Sequence, residues 1–337
     1  MTGTAVGQPE WLRSRVFDVG FIGGTAAVAL GSAFAVVARP ELFGLVLALD
    51  LWLLGYHHVI STFTRFLADR STARDHPDLL TWWPVAIAAL VVGLGFGVGP
   101  WALVTIYLYW QWFHYVRQSW GIARAYERKS GAPRAEPAAL FTVMFYSLPV
   151  WGILHRSHQD PDRFLRVDVW TIPVPGIVVE AAGAVAAILI ATTLIIRYRA
   201  WRQGELPVVH TMMVLSHLVV FAFGYVIIDD IDAGWLAVNI WHNIQYIAFV
   251  WHVNNRQAAA AQRPGFVQRL SGNGRLVHYL VVSVVASTAI YVAIGLTLAA
   301  VVTPVIVYQA INFHHYVVDG KIWKSRRPSV QPPLGLT

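Results

Sequence analysis

Histidine is the residue type in this sequence best suited to chemistry, because its thirteen copies fall mostly within strongly apolar segments. An ionisable side chain inside a membrane is unfavourable and by default marks a functional site. Neutral imidazole is also the commonest nitrogen ligand of protein-bound metals. Nine histidines are candidate metal ligands: His57, His58, His114, His210, His217, His242, His252, His314 and His315.

Other polar residues recur beside these histidines at helical spacing, which places them on shared faces. Asp50 precedes His57 by seven residues, so we expect these two side chains to lie on one face of a helix. The candidate catalytic groups are Asp50, Tyr56, Tyr308 and Asp319. The candidates for binding a cofactor or orienting its imidazole ligands are Gln111, Gln118, Asn243, Gln245 and Asn312.

The composition identifies the elements that must position these residues. Of 337 residues, 56% are hydrophobic and 13% are charged, whereas a soluble domain carries about 25% charged residues. The sequence therefore predicts an all-α, polytopic membrane protein. Ten apolar runs are each long enough to cross a hydrocarbon core of about 30 Å: 17–38, 42–62, 79–96, 100–120, 138–155, 175–196, 207–228, 232–253, 277–297 and 299–318.

The distribution of positive charge predicts the orientation of these spans. With both termini cytoplasmic, 21 Lys and Arg residues lie in inner segments and 4 lie in outer loops. The net charge of +7 therefore indicates membrane topology and not a nucleic-acid partner. The predicted division is an inner tail at 1–16, a membrane domain at 17–320 and a basic inner tail at 321–337. We expect the protein to lie in a bacterial inner membrane.

This topology assigns a depth to each candidate ligand. Seven histidines from five predicted helices lie near the inner surface. His217, His242 and Asp50 lie deeper, about 16 Å from the cytoplasmic end at about 1.5 Å per residue. The deep set has the two-histidine, one-carboxylate composition that leaves positions open for oxygen in non-haem iron sites. The shallow set, with Asp319 nearby, could hold one metal or two.

The chemistry of these groups favours iron. Since the sequence contains no cysteine, nitrogen and oxygen atoms would have to hold any metal. Histidines combined with a few carboxylates are typical of non-haem iron sites. No Rossmann fingerprint or P-loop is present, so reducing equivalents would come from an electron-donor protein or a quinol.

The gathering of eight or more histidines at one side of a polytopic protein resembles the integral-membrane non-haem iron oxygenases. These include fatty-acid desaturases, alkane hydroxylases and bacterial carotene-cleaving dioxygenases. The pairs Tyr56-His57-His58 and Phe313-His314-His315-Tyr316 lack the His-x-x-His-His form of the desaturase boxes. The resemblance concerns layout alone. It implies an oxygen-dependent reaction on a lipid-soluble substrate and transfers no residue roles.

Two other functions remain open at this point. A b-type haem protein would use two axial histidines from facing helices, either His217 with His242 or His114 with His315, for electron transfer or quinone chemistry. A metal-ion or proton transporter would also bury ionisable residues near the middle of the membrane. For each of these functions we expect the protein to be embedded in the lipid bilayer.

Overall fold

The computed structural model describes residues 11–68, 70–131, 134–260, 265–298 and 303–323, and nearly all of them are helical. The all-α prediction is therefore confirmed. Ten long helices lie in these ranges: α1 (Arg15–Ala38), α2 (Pro40–Thr64), α3 (Pro77–Gly97), α4 (Pro100–Ser130), α5 (Ala138–Gln159), α6 (Gly176–Arg202), α7 (Val208–Ile227), α8 (Ile231–Ala260), α9 (Leu276–Leu298) and α10 (Pro304–Ile322).

The smaller elements connect these helices. The short helix Arg70–Asp75 follows α2, and the short helix Phe266–Leu270 follows α8. Strands β1 (Arg163–Phe164) and β2 (Val167–Asp168) form an antiparallel hairpin between α5 and α6. Most of the two predicted tails, residues 1–10 and 324–337, lies outside the described residues.

Prolines and glycines set several helix ends in the expected way. Pro100 and Pro304 stand in the first turns of α4 and α10, where a missing N–H leaves no intrahelical bond unmade. Gly131 ends α4 in the left-handed conformation at φ 60°, which glycine adopts without steric strain. The ten long helices coincide in the sequence with the ten predicted apolar runs.

Seven of the ten helices are long and apolar enough to cross a membrane, which indicates an integral membrane protein. The other three are α4, α8 and α10, whose apolar runs are interrupted by histidine, glutamine, asparagine and tyrosine. From Ala233 to Val253, α8 is buried along nearly its whole length, whereas α6 and α9 are mostly exposed. The polar helices therefore lie inside the bundle, and apolar helices lie around them.

Three of the long helices contain a five-residue π turn: Gly20–Gly24 in α1, Leu51–Gly55 in α2 and Phe223–Ile227 in α7. A π turn accommodates one more residue than an α-helical turn, and such turns are frequent at functional sites. The turn in α2 lies between Asp50 and the His57-His58 pair. It therefore changes which histidine shares a face with Asp50.

Candidate metal centre

Three helices bring one compact group of ligand atoms together inside the bundle. His58 comes from α2, His114 from α4, and His315 and Asp319 from α10. One side-chain nitrogen or oxygen atom of each lies within 4.8 Å of all the others, and all four residues are buried. Imidazole nitrogens with a carboxylate oxygen are ligands for several divalent metals. This group could therefore hold a metal ion.

The nitrogen atoms of this group face one another. The Nε2 atoms of His58 and His315 are 2.7 Å apart. The Nε2 atom of His114 lies 3.9 Å from Oδ2 of Asp319 and has no hydrogen-bond partner among the described residues. Two facing imidazole nitrogens can share one proton, or each can direct a lone pair at a common metal ion. The second arrangement also gives His114 a partner.

His242 of α8 adds a fourth imidazole beside the group. Its ring centroid lies 4.6 Å from that of His58 and 5.0 Å from that of His114. Its Nδ1 atom has no hydrogen-bond partner within the described ranges. His242 therefore packs with the shallow histidines and not, as predicted, in a deeper set with Asp50 and His217.

A hydrogen-bonded network supports the ligands on α10. Oδ1 of Asp319 accepts a hydrogen bond from the Tyr246 hydroxyl at 2.6 Å and lies 3.1 Å from Oγ1 of Thr62. Oγ1 of Thr62 also lies 2.8 Å from Nδ1 of His315 and 2.6 Å from the Tyr246 hydroxyl. Nε1 of Trp323 donates to the Tyr246 hydroxyl at 3.1 Å. One carboxylate and one imidazole are thus fixed together.

The prediction that Asp50 and His57 share a face is wrong, and the π turn Leu51–Gly55 is the reason. The His57 ring lies 5.8 Å from that of Tyr279 on α9, and its Nε2 atom has no partner in the described chain. Asp50 and His58 instead both face α8. Asp50 and His58 are eight residues apart. Because the π turn between them contains one extra residue, they share a face, as residues seven apart do in a regular α-helix.

Asp50 belongs to a second buried network. Its two oxygens accept hydrogen bonds from Nδ2 of Asn239 at 2.5 Å and Nδ2 of Asn243 at 3.2 Å. The Tyr115 hydroxyl lies 2.5 Å from Oδ1 of Asn239 and 3.2 Å from Oε1 of Gln111. The Tyr115 ring also lies 4.2 Å from the His242 ring, so this network borders the histidine that packs beside the four-residue group.

His217 lies elsewhere, and both of its nitrogens are bonded. Nδ1 lies 3.0 Å from Oγ of Ser119, and Nε2 lies 3.0 Å from the Phe145 carbonyl oxygen. The ring also stacks on that of Phe145 with centroids 3.7 Å apart. His217 therefore joins α4, α5 and α7 by packing and hydrogen bonds, and the predicted deep ligand set is not assembled.

The remaining candidate ligands lie apart from the four-residue group. His210 packs against Phe141, with centroids 5.3 Å apart, and His252 against Phe17 at 5.8 Å. His314 points away from its neighbour His315. Its Nε2 atom lies 2.8 Å from the Leu79 carbonyl oxygen.

Most of the predicted orienting residues contact groups other than imidazole. Nε2 of Gln118 donates to the backbone carbonyl of His242 at 3.1 Å. Nε2 of Gln245 lies 3.8 Å from the Met213 sulfur, and Asn312 donates to the Tyr316 hydroxyl. The candidate catalytic tyrosines also lie together, away from the four ligands: Tyr56 stacks on Tyr291 at 3.9 Å and lies 6.2 Å from Tyr308.

Sequence reasoning did not assign site roles to three residues that contact the ligands. Thr62 and Tyr246 form the network around Asp319, and Tyr316 stacks on His114 with centroids 4.2 Å apart. Thr62 follows His58 by four residues and Tyr246 follows His242 by four. This helical spacing was the available signal, since residues four apart share a face.

No protein-family model matches this chain, and no curated protein or solved structure matches it either.

Proposed function

We propose that this chain is an integral-membrane metalloenzyme that uses one buried iron ion to oxidise a lipid-soluble substrate with oxygen. The observation that carries the proposal is the convergence of His58, His114, His315 and Asp319 within 4.8 Å. These residues come from distant parts of the chain, and a cluster of polar atoms inside an apolar bundle is unfavourable without a partner. A bound cation supplies that partner.

The donor set supports iron with coordination positions left open. Three neutral imidazoles and one carboxylate suit iron, zinc and other divalent metals, and histidine–carboxylate sites with open positions are typical of non-haem iron oxygenases. When bound, the ion would supply oxygen activation. The protein's own residues hold the ion, exclude water and surround it with aromatic rings, including Tyr316 on His114 and Tyr246 on His58.

The geometry favours a single ion over a b-type haem. Two axial nitrogens of a haem stand about 4 Å apart on opposite faces of the macrocycle, at about 2 Å each from the iron. The first predicted axial pair, His114 with His315, has ring centroids only 4.9 Å apart, and Nε2 of His315 lies 2.7 Å from Nε2 of His58, so no porphyrin fits between the two rings. The second predicted axial pair, His217 with His242, is unfavourable because both nitrogens of His217 are already bonded.

We also propose that all ten long helices span a bacterial inner membrane with both termini cytoplasmic, which places the metal centre towards the cytoplasm. An electron-donor protein or a quinol would then deliver reducing equivalents from that side. Because the sequence contains no cysteine, single introduced thiols can test this topology. In intact cells an impermeant thiol reagent should label Asp168→Cys, between α5 and α6, and not Gln203→Cys, between α6 and α7.

Metal content of the detergent-purified protein tests the function. We expect about one iron per chain without the Soret absorption of haem, together with oxygen consumption when a lipid-soluble substrate is supplied. His315→Ala should remove the iron. The matched control His314→Ala should keep it, because His314 bonds to the Leu79 carbonyl.

Three outcomes would count against the proposal. A Soret band would indicate haem. A purified chain without stoichiometric metal would exclude both the non-haem iron oxygenase and the b-type haem protein. Rapid transport of the metal ion across the membrane of proteoliposomes would indicate a transporter, because a resident cofactor stays bound to the protein.

A further inference from the structure

We infer that Thr62 and Tyr246 are positioning residues of the metal centre, which set the tautomer of His315 and leave one oxygen of Asp319 free to bind the ion. This inference rests on the proposed function and deepens it. Neither residue supplies one of the four grouped ligand atoms. Both are joined by hydrogen bonds to ligands on α10.

The two hydroxyl groups each have one proton to donate, whereas an ionised carboxylate can only accept. The Tyr246 hydroxyl donates to Oδ1 of Asp319 at 2.6 Å, and its oxygen accepts Nε1–H of Trp323. Oγ1 of Thr62 lies 2.6 Å from the Tyr246 oxygen, and because the Tyr246 proton is used on Asp319, Thr62 supplies the proton between the two hydroxyls. This chain of hydrogen bonds ends on the buried carboxylate and stabilises its charged form.

The tautomer of His315 follows from this arrangement. Because the Thr62 proton is directed at the Tyr246 oxygen, Oγ1 of Thr62 can only accept from Nδ1 of His315, 2.8 Å away. The ring is then the tautomer with its proton on Nδ1, and Nε2 carries a lone pair. Metal-binding histidines typically donate their other ring N–H to an oxygen in this way. The Nε2 atom so prepared is the one that faces His58.

The two oxygens of Asp319 have different surroundings. Its Oδ1 atom accepts from the Tyr246 hydroxyl at 2.6 Å and lies 3.1 Å from Oγ1 of Thr62. Its Oδ2 atom lies 3.7 Å from Nδ1 of His315 and 3.9 Å from Nε2 of His114. Only Oδ2 is therefore directed at the imidazole group, and Asp319 would bind an ion through a single oxygen. A one-oxygen ligand leaves a position that a two-oxygen carboxylate would fill.

The chain offers a matched control one residue away on α2. Oγ of Ser61 lies 3.2 Å from the hydroxyl of Tyr279, so a second buried hydroxyl–phenol pair joins α2 to a neighbouring helix. Neither Ser61 nor Tyr279 contributes to the four-residue group. Loss of this pair perturbs packing to a similar extent without touching the ligands.

The test measures metal affinity and coordination in Thr62→Val, Tyr246→Phe and the controls Ser61→Ala and Tyr279→Phe. We expect the first two variants to bind iron about 10–100-fold more weakly, the usual effect of losing such a partner. The absorption spectrum of the Co²⁺-loaded protein should also change, since it reports the ligand geometry. Thr62→Ser, which restores the hydroxyl, should recover both. The controls should match the wild type.

The outcomes separate this inference from the proposed function. Wild-type affinity and an unaltered Co²⁺ spectrum in both Thr62→Val and Tyr246→Phe would overturn the inference alone. Equal weakening in the Ser61→Ala control would also overturn it, because the effect would then be one of packing. A wild-type protein that binds no metal would overturn the proposed function, and this inference with it.

Discussion

The two kinds of buried histidine in this bundle differ in what their nitrogen atoms meet. His217 is fully buried, and its nitrogens are bonded to Ser119 and to the Phe145 carbonyl. His58, His114 and His315 are also buried, yet one ring nitrogen of each lies within 4.8 Å of the others and of a carboxylate oxygen of Asp319. Burial is nearly the same in the two places, and only the partners differ.

This difference shows how a packing histidine can be told from a candidate ligand. A buried polar group is stable when the protein itself completes its hydrogen bonds. His217 meets that condition, so nothing further needs to bind there. The Nε2 atom of His114 lacks a partner among the described residues and also lies 3.9 Å from Oδ2 of Asp319 in a group of four converging side chains. These two conditions together are the ones that a metal ion satisfies. Three experiments test this distinction.

The largest effect is expected from the adjacent pair on α2. His58→Ala should remove most of the bound metal, because it deletes one of the four converging atoms. His57→Ala should keep the metal, since that ring lies against Tyr279. The measurement is the amount of metal per protein in each variant after size-exclusion chromatography. Equal metal loss in the two variants would contradict the assignment of His58, and not His57, to the four-residue group.

A smaller and different effect is expected from His217→Ala. The variant loses two hydrogen bonds and a stacked ring but no ligand, so metal content should stay at the wild-type level. Interhelical hydrogen bonds in membrane proteins contribute about 0.6 kcal/mol on average and at most about 1.7 kcal/mol. The free energy of unfolding in mixed detergent should fall by about 1–2 kcal/mol. Metal loss without destabilisation would place His217 among the ligands.

The smallest effect is expected from deleting one residue of the α2 π turn. Deletion of Leu53 should convert Leu51–Gly55 to an α-helical turn while keeping Asp50 and His58 on one face. Metal content should therefore remain unchanged. Deletion of Ile60 from the regular part of α2 is the control, because it rotates Thr62 by about 100° relative to His58. The Ile60 deletion variant should bind metal more weakly. Metal loss in the Leu53 deletion variant would contradict the role given to the π turn.

Most of the fold could be predicted because it follows from apolar run length and from helix-ending residues. The runs at 100–120 and 232–253 were recognisable as helices although they carry many polar residues. Their burial explains this composition, since polar faces of α4 and α8 meet other polar faces and not lipid. The separate runs predicted at 277–297 and 299–318 agree with the two helices α9 (Leu276–Leu298) and α10 (Pro304–Ile322).

The site was harder to predict because depth along a helix does not give rotation about its axis. The adjacent histidines His57 and His58 lie at nearly the same depth but contact different helices. The π turn decides which of them faces Asp319, and nothing in the letters Leu51–Gly55 marks a π turn. The grouping of His217 with His242 failed for a similar reason, since equal depth on two helices does not place two side chains together.

The order of these helices along the chain has a consequence for biogenesis. His58 and His315 are separated by 257 residues, and α10 is the last long helix of the described chain. Chains emerge from the ribosome N-terminus first. In the proposed ten-span topology, the polar faces of α2, α4 and α8 would therefore enter the membrane before their last partner has been synthesised. An ion held by the four-residue group would then play no part in the early steps of insertion. It would secure the bundle only after α10 had been inserted, so metal retention would report completed assembly.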